Sequence, residues 1–186
     1  DANGDPVGVI VRWDKASGKD IRPVARRGDR WTNGGMPEPR PLYCLHDLAD
    51  ADRVYITEGE KAADAARAIE LTATTSAHGS QSPDKTDWSP LAGKECVIRP
   101  DNDDPGRKYA DTVAAILAKL TPAPVVKVVE LPDLPDHGDI ADWVEARSDA
   151  DAGELRQHVE TLAGEAEAIQ PDRPAARIER FQPFPT

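Results

Sequence analysis

The sequence predicts an α/β protein in which a mainly parallel four-stranded sheet lies between helices, preceded by a small β-hairpin arm. Three observations carry this prediction: short apolar runs typical of buried strands, helical segments that alternate with them, and acidic patches that follow the strands. Strands that alternate with helices imply right-handed crossovers and a parallel sheet that is covered on both faces.

The first segment of the chain has the pattern of a hairpin. Residues 7–13 and 20–25 are rich in apolar residues, and the polar, Gly-containing stretch 14–18 lies between them. Residues 28–41 are rich in Gly, Pro and Arg, and we expect them to be irregular. The pattern of the apolar stretch 42–48 favours neither a helix nor a strand.

The middle of the chain supplies the predicted sheet and its helices. The expected strands are residues 53–57, 71–75, 94–99 and 125–131, and the expected helices are 60–71 and 105–120. The second helix has one apolar stripe, formed by Ala110, Val113, Ile116, Leu117 and Leu120. Asp104 fits its cap position and Pro105 its first helical position.

Further helices are predicted over residues 140–147 and 152–168. The last stretch carries four prolines and is typical of a linker. The expected organisation is a basic hairpin arm (1–50), a catalytic domain (51–147), a C-terminal helix (148–170) and a linker tail (171–186). Because the chain begins at Asp1 and its only methionine is Met36, we expect it to be part of a larger protein.

The formal net charge of −11 argues against a protein that simply coats nucleic acid. The charge is uneven, however, because residues 12–40 hold eight Lys or Arg and four acidic residues. A basic arm beside an acidic core suits an enzyme that acts on phosphate polymers. An ordinary solvated hairpin explains the arm equally well.

Targeting signals are missing from the sequence. There is no 18-residue apolar run, and the first residues are too polar for a signal peptide. Cys44 and Cys96 are isolated, which disfavours structural zinc and fits a reduced setting. We expect a cytoplasmic protein with no membrane partner.

Three acidic patches, which begin at Glu58, Asp101 and Asp139, follow or interrupt strand-like stretches. Carboxylates that converge at the ends of adjacent strands repel one another unless a cation lies between them, and Mg²⁺ prefers oxygen ligands. Asp101 and Asp103 alternate along an extended segment, so both can face one ion. This pattern predicts metal-assisted phosphoryl transfer.

Ordinary turns and helix caps account for part of these patches. A capped turn explains residues 104–106 but does not require both Asp101 and Asp103. A calcium-binding EF-hand loop is excluded, because Pro105 stands at its fifth position, which needs an oxygen ligand, and Thr112 stands at its twelfth, which needs Glu. Glu60 fits either an auxiliary ligand or the acidic first turn of a helix.

The segments ITEGEKAADA and RPDNDDPGRKYA, with the later acidic pair, resemble the Toprim domain of primases, topoisomerases and related nucleases. They are most similar to phage- and plasmid-type DNA primases, which are often fused to a helicase-like ATPase. The resemblance covers roughly residues 40–147 and implies a Rossmannoid Toprim-like domain. It implies catalytic roles for Glu58, Asp101 and Asp103, with Asp139 joining them as ligands of Mg²⁺ or Mn²⁺.

Residues expected to contact substrate or nucleic acid lie around these motifs and in the arm. They are Gly59, Lys61, Gly79, Lys85, Arg22, Arg26, Arg27, Arg30 and Arg107. Arg99 could also balance substrate charge, whereas Arg107 could instead lie on the solvated side of its helix. Trp13 and Trp31 could stack on bases or anchor the hairpin.

The resulting hypothesis is metal-dependent nucleotidyl transfer in DNA replication. The Toprim part of a primase makes RNA primers from nucleotides on a single-stranded DNA template, and a helicase-like ATPase is expected downstream. We expect this chain to hold only part of that enzyme. The alternatives are a Toprim-type metal-dependent nuclease and a non-catalytic module that binds metal and nucleic acid in a replication assembly.

Overall fold

Two β-sheets contain the strands of the computed structural model, which describes residues 1–16 and 18–169. The first is a three-stranded antiparallel sheet in the order β1-β2-β3. The second is a four-stranded sheet in the order β5-β4-β6-β7, in which every neighbouring pair is parallel. The predicted fold class is therefore confirmed.

The N-terminal sheet consists of β1 (Gly8–Lys15), β2 (Gly18–Arg27) and β3 (Arg30–Asn33). The sequence predicts only the first two strands and an irregular stretch at 28–41. The third strand forms because the chain reverses at Gly28, whose φ of 60° is in the left-handed region that glycine adopts readily. Four residue pairs then link β2 and β3.

The parallel sheet is formed by β4 (Arg53–Thr57), β5 (Ala73–Thr74), β6 (Glu95–Arg99) and β7 (Val125–Val128). The strands β4 and β6 lie at its centre and are largely buried. Their apolar composition follows from this position, since helices cover both faces of the sheet.

Four helices cover this sheet: α1 (Glu60–Ala68), α2 (Asp104–Leu117), α3 (Ile140–Glu145) and α4 (Ala152–Glu165). Tyr55 and Val97 project into one core with residues of α1, α3 and α4. Ile56 and Ile98 project into the other core, against α2. Alternation along each central strand therefore supplies both cores.

Several elements end earlier than the sequence predicts. Helix α1 stops at Ala68, and Glu70, with φ of 62°, turns the chain toward a β5 of only two residues. Helix α2 ends at Leu117, and the chain continues through turns to β7. The predicted linker tail lies outside the described residues. No described helix has the length and apolar character that crossing a membrane requires.

The N-terminal segment is joined to the core at Arg40. Its backbone N–H donates to the carbonyl of Lys85 at 2.8 Å, and its carbonyl accepts from the N–H of Asp87 at 2.8 Å. Its guanidinium donates to Ser82 Oγ at 2.8 Å. These bonds hold the segment against the loop that follows β5.

Candidate active site

The predicted acidic residues converge at the carboxyl edge of the parallel sheet. Glu58 directly follows β4, and Asp101 lies two residues beyond the end of β6. The two strands are adjacent, and Thr57 is in register with Arg99. Asp139 is the cap residue of α3, which follows β7. Ligands usually bind at this edge in open α/β sheets.

Asp101 lies at the centre of the cluster. Burial raises its pKa to about 7, and the neighbouring carboxylates act in the same direction. In decreasing order of effect, these neighbours are Glu58, Asp139, Asp103 and Asp142. Residues from three separate loops therefore contribute to one negative field.

The loop that follows β5 lies close to the backbone of Glu58. A Cβ at Gly79 would stand 3.1 Å from the carbonyl oxygen of Glu58, and Gly79 has φ of 62°. A larger residue at Gly79 would be strained in conformation and crowd Glu58. Glu58 Oε2 is buried and has no hydrogen-bond partner in the described part of the chain.

Asp103 has two hydrogen-bonding roles. It caps α2 by accepting from the N–H of Gly106 at 2.7 Å, and its other oxygen pairs with His137 Nδ1 at 2.8 Å. The predicted cap was wrong by one residue: Asp103 is the cap, Asp104 is the first helical residue and Pro105 the second. Burial raises the pKa of Asp103, but the bonds from His137 and Gly106 outweigh it and leave the pKa below its ordinary value. Sequence reasoning assigned no contact to His137, whose side chain is 71% exposed.

The first turn of α2 lies directly against Asp101. A Cβ at Gly106 would stand 2.5 Å from the carbonyl oxygen of Asp101 and 2.8 Å from its nitrogen. Only glycine allows the helix to approach this closely. The sequence signal for this contact is the glycine of the DPG turn, which sequence reasoning assigned only to capping.

Asn102 joins the loop before α2 to the loop before α3. Its N–H donates to the carbonyl of Gly138 at 2.9 Å, and its carbonyl accepts from the N–H of His137 at 3.1 Å. Its side-chain amide donates to the carbonyls of Leu134 and Pro135 at 3.0 and 2.9 Å. These bonds bring Asp139 close to Asp101, and sequence reasoning gave Asn102 no role.

The start of α3 is a reciprocal cap. Asp139 accepts from the N–H of Asp142 at 3.0 Å, and Asp142 accepts from the N–H of Asp139 at 2.9 Å. Lys61 of α1 reaches this pair, with its Nζ 3.5 Å from Asp139 Oδ2 and 3.8 Å from Asp142 Oδ1. Lys61 therefore provides a cation at the rim of the cluster.

A cleft of ≈1020 Å³ separates the carboxylates from the N-terminal sheet. Glu58, Asp101 and Asp139 line it together with Gly59, Lys61 and Gly79. Arg12 and Arg40 also line it, and sequence reasoning singled out neither as a site residue. The cleft therefore combines carboxylates with cationic side chains.

Six of the predicted substrate contacts are not among the residues that line the cleft. Lys85 pairs with Glu38 at 3.0 Å, and Arg107 pairs with Asp104 at 2.7 Å. The other four are the arginines of β2 and β3: Arg22, Arg26, Arg27 and Arg30. Any contact that these six make with nucleic acid lies outside the cleft.

Arg99 is buried rather than exposed to substrate, since only 2% of its surface is accessible. Burial lowers its pKa to about 9, opposed by the charges of Tyr55, Glu130 and Asp101. Its Nε and Nη1 have no hydrogen-bond partner among the described residues. The side chain of Arg99 is therefore closed to direct contact with a substrate.

The donor set suits a hard divalent cation. As the side chains stand in residues 1–16 and 18–169, no three His, Cys, Asp or Glu residues are arranged to hold a metal ion. The chemistry nevertheless fits, because Glu58 has a buried oxygen with no partner among the described residues, and because burial and four carboxylates raise the pKa of Asp101. A bound cation would coordinate the free oxygen of Glu58 and reduce the repulsion among the carboxylates around Asp101. Mg²⁺ and Mn²⁺ prefer such oxygen ligands.

Comparison with known proteins gives a structural answer only. The sequence matches no protein-family model and no curated protein. Among solved structures, the zinc-binding and RNA polymerase domains of Aquifex aeolicus primase match with a TM-score of 0.53 and 14% identity, over 86% of this chain and 40% of that chain.

Two further matches agree with it. The complex of bacteriophage T7 lagging-strand DNA polymerase with primase domains, an RNA/DNA hybrid and dTTP matches with a TM-score of 0.51 and 15% identity, over 89% of this chain and 81% of that chain. The Escherichia coli primase catalytic core matches with a TM-score of 0.50 and 16% identity, over 89% of this chain and 54% of that chain.

These likenesses show the fold, and the predicted resemblance to primase catalytic domains of Toprim type is confirmed at that level. The chain spans 40% of the Aquifex aeolicus chain and 54% of the Escherichia coli chain. At such identities the role of each residue follows from the site itself.

Proposed function

We propose that this chain is the Toprim part of a DNA primase, which transfers nucleotides to a growing RNA primer on single-stranded DNA. One observation carries the proposal: Glu58, Asp101 and Asp139 converge on a cleft that Arg12 and Arg40 also line. This chemistry suits a polyphosphate and the ions that accompany it, and the fold is that of primase catalytic domains.

The residues that would hold Mg²⁺ or Mn²⁺ are Glu58, Asp101, Asp103 and Asp139. A divalent ion there would supply positive charge that binds the nucleotide's phosphates and stabilises the charge that develops as a phosphoryl group is transferred. Asp103 takes part with the oxygen that now contacts His137, since its other oxygen caps α2.

The chain's own cations would orient the substrate. Lys61 lies beside Asp139 and can turn from it to a phosphate. Arg12 and Arg40 line the cleft, where they can bind the phosphates of an incoming nucleotide. A Cβ at Gly59 would meet nothing within 4 Å, so there is space for a ligand beside the backbone at the start of α1.

Glu58 is the residue we assign to proton transfer. It is half-buried directly after β4, beside Asp101, and its Oε2 is buried with no partner in the described part of the chain. In the transfer reaction it would accept the proton of the attacking 3′-hydroxyl or hold the ion that polarises that hydroxyl. Either role requires its charge.

The partners follow from this reaction. They are nucleotides, a single-stranded DNA template and, in the same protein or assembly, a helicase-like ATPase. The T7 structure that this chain resembles contains an RNA/DNA hybrid and dTTP, which supports the first two. We place the protein in the cytoplasm, where such an assembly works.

The test is primer synthesis by the full-length protein on a single-stranded DNA template, scored beside degradation of the same template. We expect RNA products that require Mg²⁺ or Mn²⁺. Glu58→Gln preserves side-chain volume and removes the charge, so we expect at least a hundredfold loss of products with the circular dichroism spectrum unchanged.

Asp104→Asn is the matched control, because it also removes one carboxylate but its side chain is 93% exposed. We expect this variant to retain most of the activity. Template degradation without primer synthesis would replace the proposal with a nuclease. Near wild-type synthesis by Glu58→Gln would remove Glu58 from the mechanism.

A further inference from the structure

The N-terminal sheet has two different faces, which its register defines. Residues directly opposite each other in antiparallel strands project to the same side. Trp13 is opposite Asp20, Val11 is opposite Arg22, and Arg26 is opposite Trp31. The outer face of the N-terminal sheet therefore consists of Val9, Val11, Trp13, Lys15, Asp20, Arg22, Val24, Arg26 and Trp31.

The opposite face of the same sheet is turned toward the cleft. Ile10, Arg12, Ile21 and Pro23 alternate with the outer residues, and all four line the cleft. The outer face therefore points away from the carboxylate cluster. A ligand on it occupies a surface separate from the proposed catalytic site.

Large apolar side chains on the outer face are open to solvent. Val9, Trp13 and Trp31 are each 46% exposed. The two other tryptophans, Trp88 and Trp143, are only 3% and 1% exposed and belong to the cores. Half-exposed tryptophans on one sheet face leave much of their rings accessible, and such patches usually mark a binding surface.

The charge of the outer face is opposite to that of the whole chain. It carries Lys15, Arg22 and Arg26 and one acid, Asp20, which pairs with Lys15 at 2.6 Å and Arg22 at 3.2 Å. The chain as a whole has a formal net charge of −11. A positively charged face with aromatic side chains on such a chain is complementary to a polyanion with exposed rings.

The spacing of the tryptophans suits a short stretch of single strand. Asp20 and Arg26, the residues opposite them, are six positions apart along β2. This separation is about 20 Å at the usual rise of a strand. Several unstacked nucleotides span such a distance, with Arg22 and Arg26 available to the phosphates along it.

We propose that the outer face binds single-stranded DNA, with bases stacked on Trp13 and Trp31 and phosphates paired with Arg22 and Arg26. The identity of the partner rests on the proposed function, and the surface itself rests on the register and exposure of the sheet. The face would hold a stretch of template outside the cleft. A duplex is disfavoured, because its base faces are stacked inside.

The test measures binding of a fluorescein-labelled 15-nucleotide oligo(dT) to the 186-residue chain by anisotropy, in EDTA and about 50 mM NaCl, where phosphate contacts are strong. We expect Trp13→Ala/Trp31→Ala to weaken binding at least tenfold. Unlabelled oligo(dT) should also quench tryptophan emission of the wild-type chain, since two of its four tryptophans are exposed.

The arginines provide matched controls. Arg22→Ala/Arg26→Ala and Arg27→Ala/Arg30→Ala each remove two charges from the N-terminal sheet, but Arg27 and Arg30 are opposite each other on the other face. We expect at least a tenfold loss for the first pair and less than threefold for the second. Val125→Ala, in β7 at 49% exposure and outside both the N-terminal sheet and the cleft, should leave affinity within twofold.

Several results would overturn the proposal. They are equal losses for the two arginine pairs, unchanged affinity of the tryptophan variant with its fold intact by circular dichroism, and a duplex bound as tightly as the single strand. Self-association that the tryptophan substitutions abolish, without any change in oligonucleotide affinity, would assign the face to a second copy. Because the assay contains no divalent ion or nucleotide, failed primer synthesis with intact binding would count against the proposed function alone.

Discussion

At Asp101, burial and four neighbouring carboxylates all favour the protonated form. Asp103, two residues away, has the opposite shift, because hydrogen bonds from His137 and Gly106 outweigh the effect of its burial. The pKa values of two carboxylates in one motif are thus shifted in opposite directions. This difference is set by contacts with residues far along the chain, which sequence spacing alone does not reveal.

Asp101→Asn should stabilise the chain in EDTA. The pKa of Asp101 is about 7 in the folded chain against an ordinary value of 3.8, so the folded state binds this proton more tightly than the unfolded chain. Stability of the wild type therefore falls as pH rises from about 4 to about 7. Asparagine has no such penalty, and above about pH 7 we expect a gain of about 1 kcal/mol or more.

The measurement is thermal unfolding of both proteins from pH 4 to 8. The difference in midpoint should grow over this interval, then level off, and reach about 3 °C or more. A variant that is less stable than the wild type at pH 8 would show that the charge of Asp101 does not destabilise the folded chain.

At the scale of elements, one glycine determines how closely α2 approaches the site. Gly106→Ala places a methyl group 2.5 Å from the Asp101 carbonyl, so the helix start or the Asp101 loop must shift. We expect a loss of roughly 1–3 kcal/mol in unfolding free energy by denaturant titration, together with weaker Mn²⁺ binding.

Gly164→Ala in α4 is the matched control. A Cβ there meets nothing within 4 Å, and Gly164 lies inside the helix. We expect this variant to gain up to about 1 kcal/mol from helix propensity alone. If the two alanine variants had the same stability, close contact of α2 with Asp101 would not be what excludes a side chain at Gly106.

The predicted alternation of strands and helices is confirmed because each buried strand is a short apolar run and each helix has a cap or an apolar stripe. Strand β3 was missed because only four residues pair, on an edge rich in Arg and Gly.

In the site, the order of acidic patches predicted that Glu58, Asp101 and Asp139 share one edge. The contacts of Asn102, His137 and Arg40 join residues more than thirty positions apart, and no local pattern encodes them.

At the scale of the molecule, the carboxylate edge of the sheet and the inner face of the N-terminal sheet enclose a single cleft. The fold determines the position of the candidate site, since the strand ends bring the acidic residues together. The N-terminal segment adds Arg12 and Arg40 to Lys61 of α1 in the lining of this cleft. We therefore propose that the N-terminal segment belongs to the same functional unit as the parallel sheet.

The central claim is that the carboxylate cluster binds a divalent ion, and calorimetric titration with Mn²⁺ tests it directly. Asp101→Asn/Asp103→Asn should weaken binding at least tenfold, which is about 1.4 kcal/mol. The fold should survive, because asparagine caps helices as well as aspartate does. Asp104→Asn, whose side chain is 93% exposed, should bind as the wild type does. Unchanged affinity in the double variant would contradict the account.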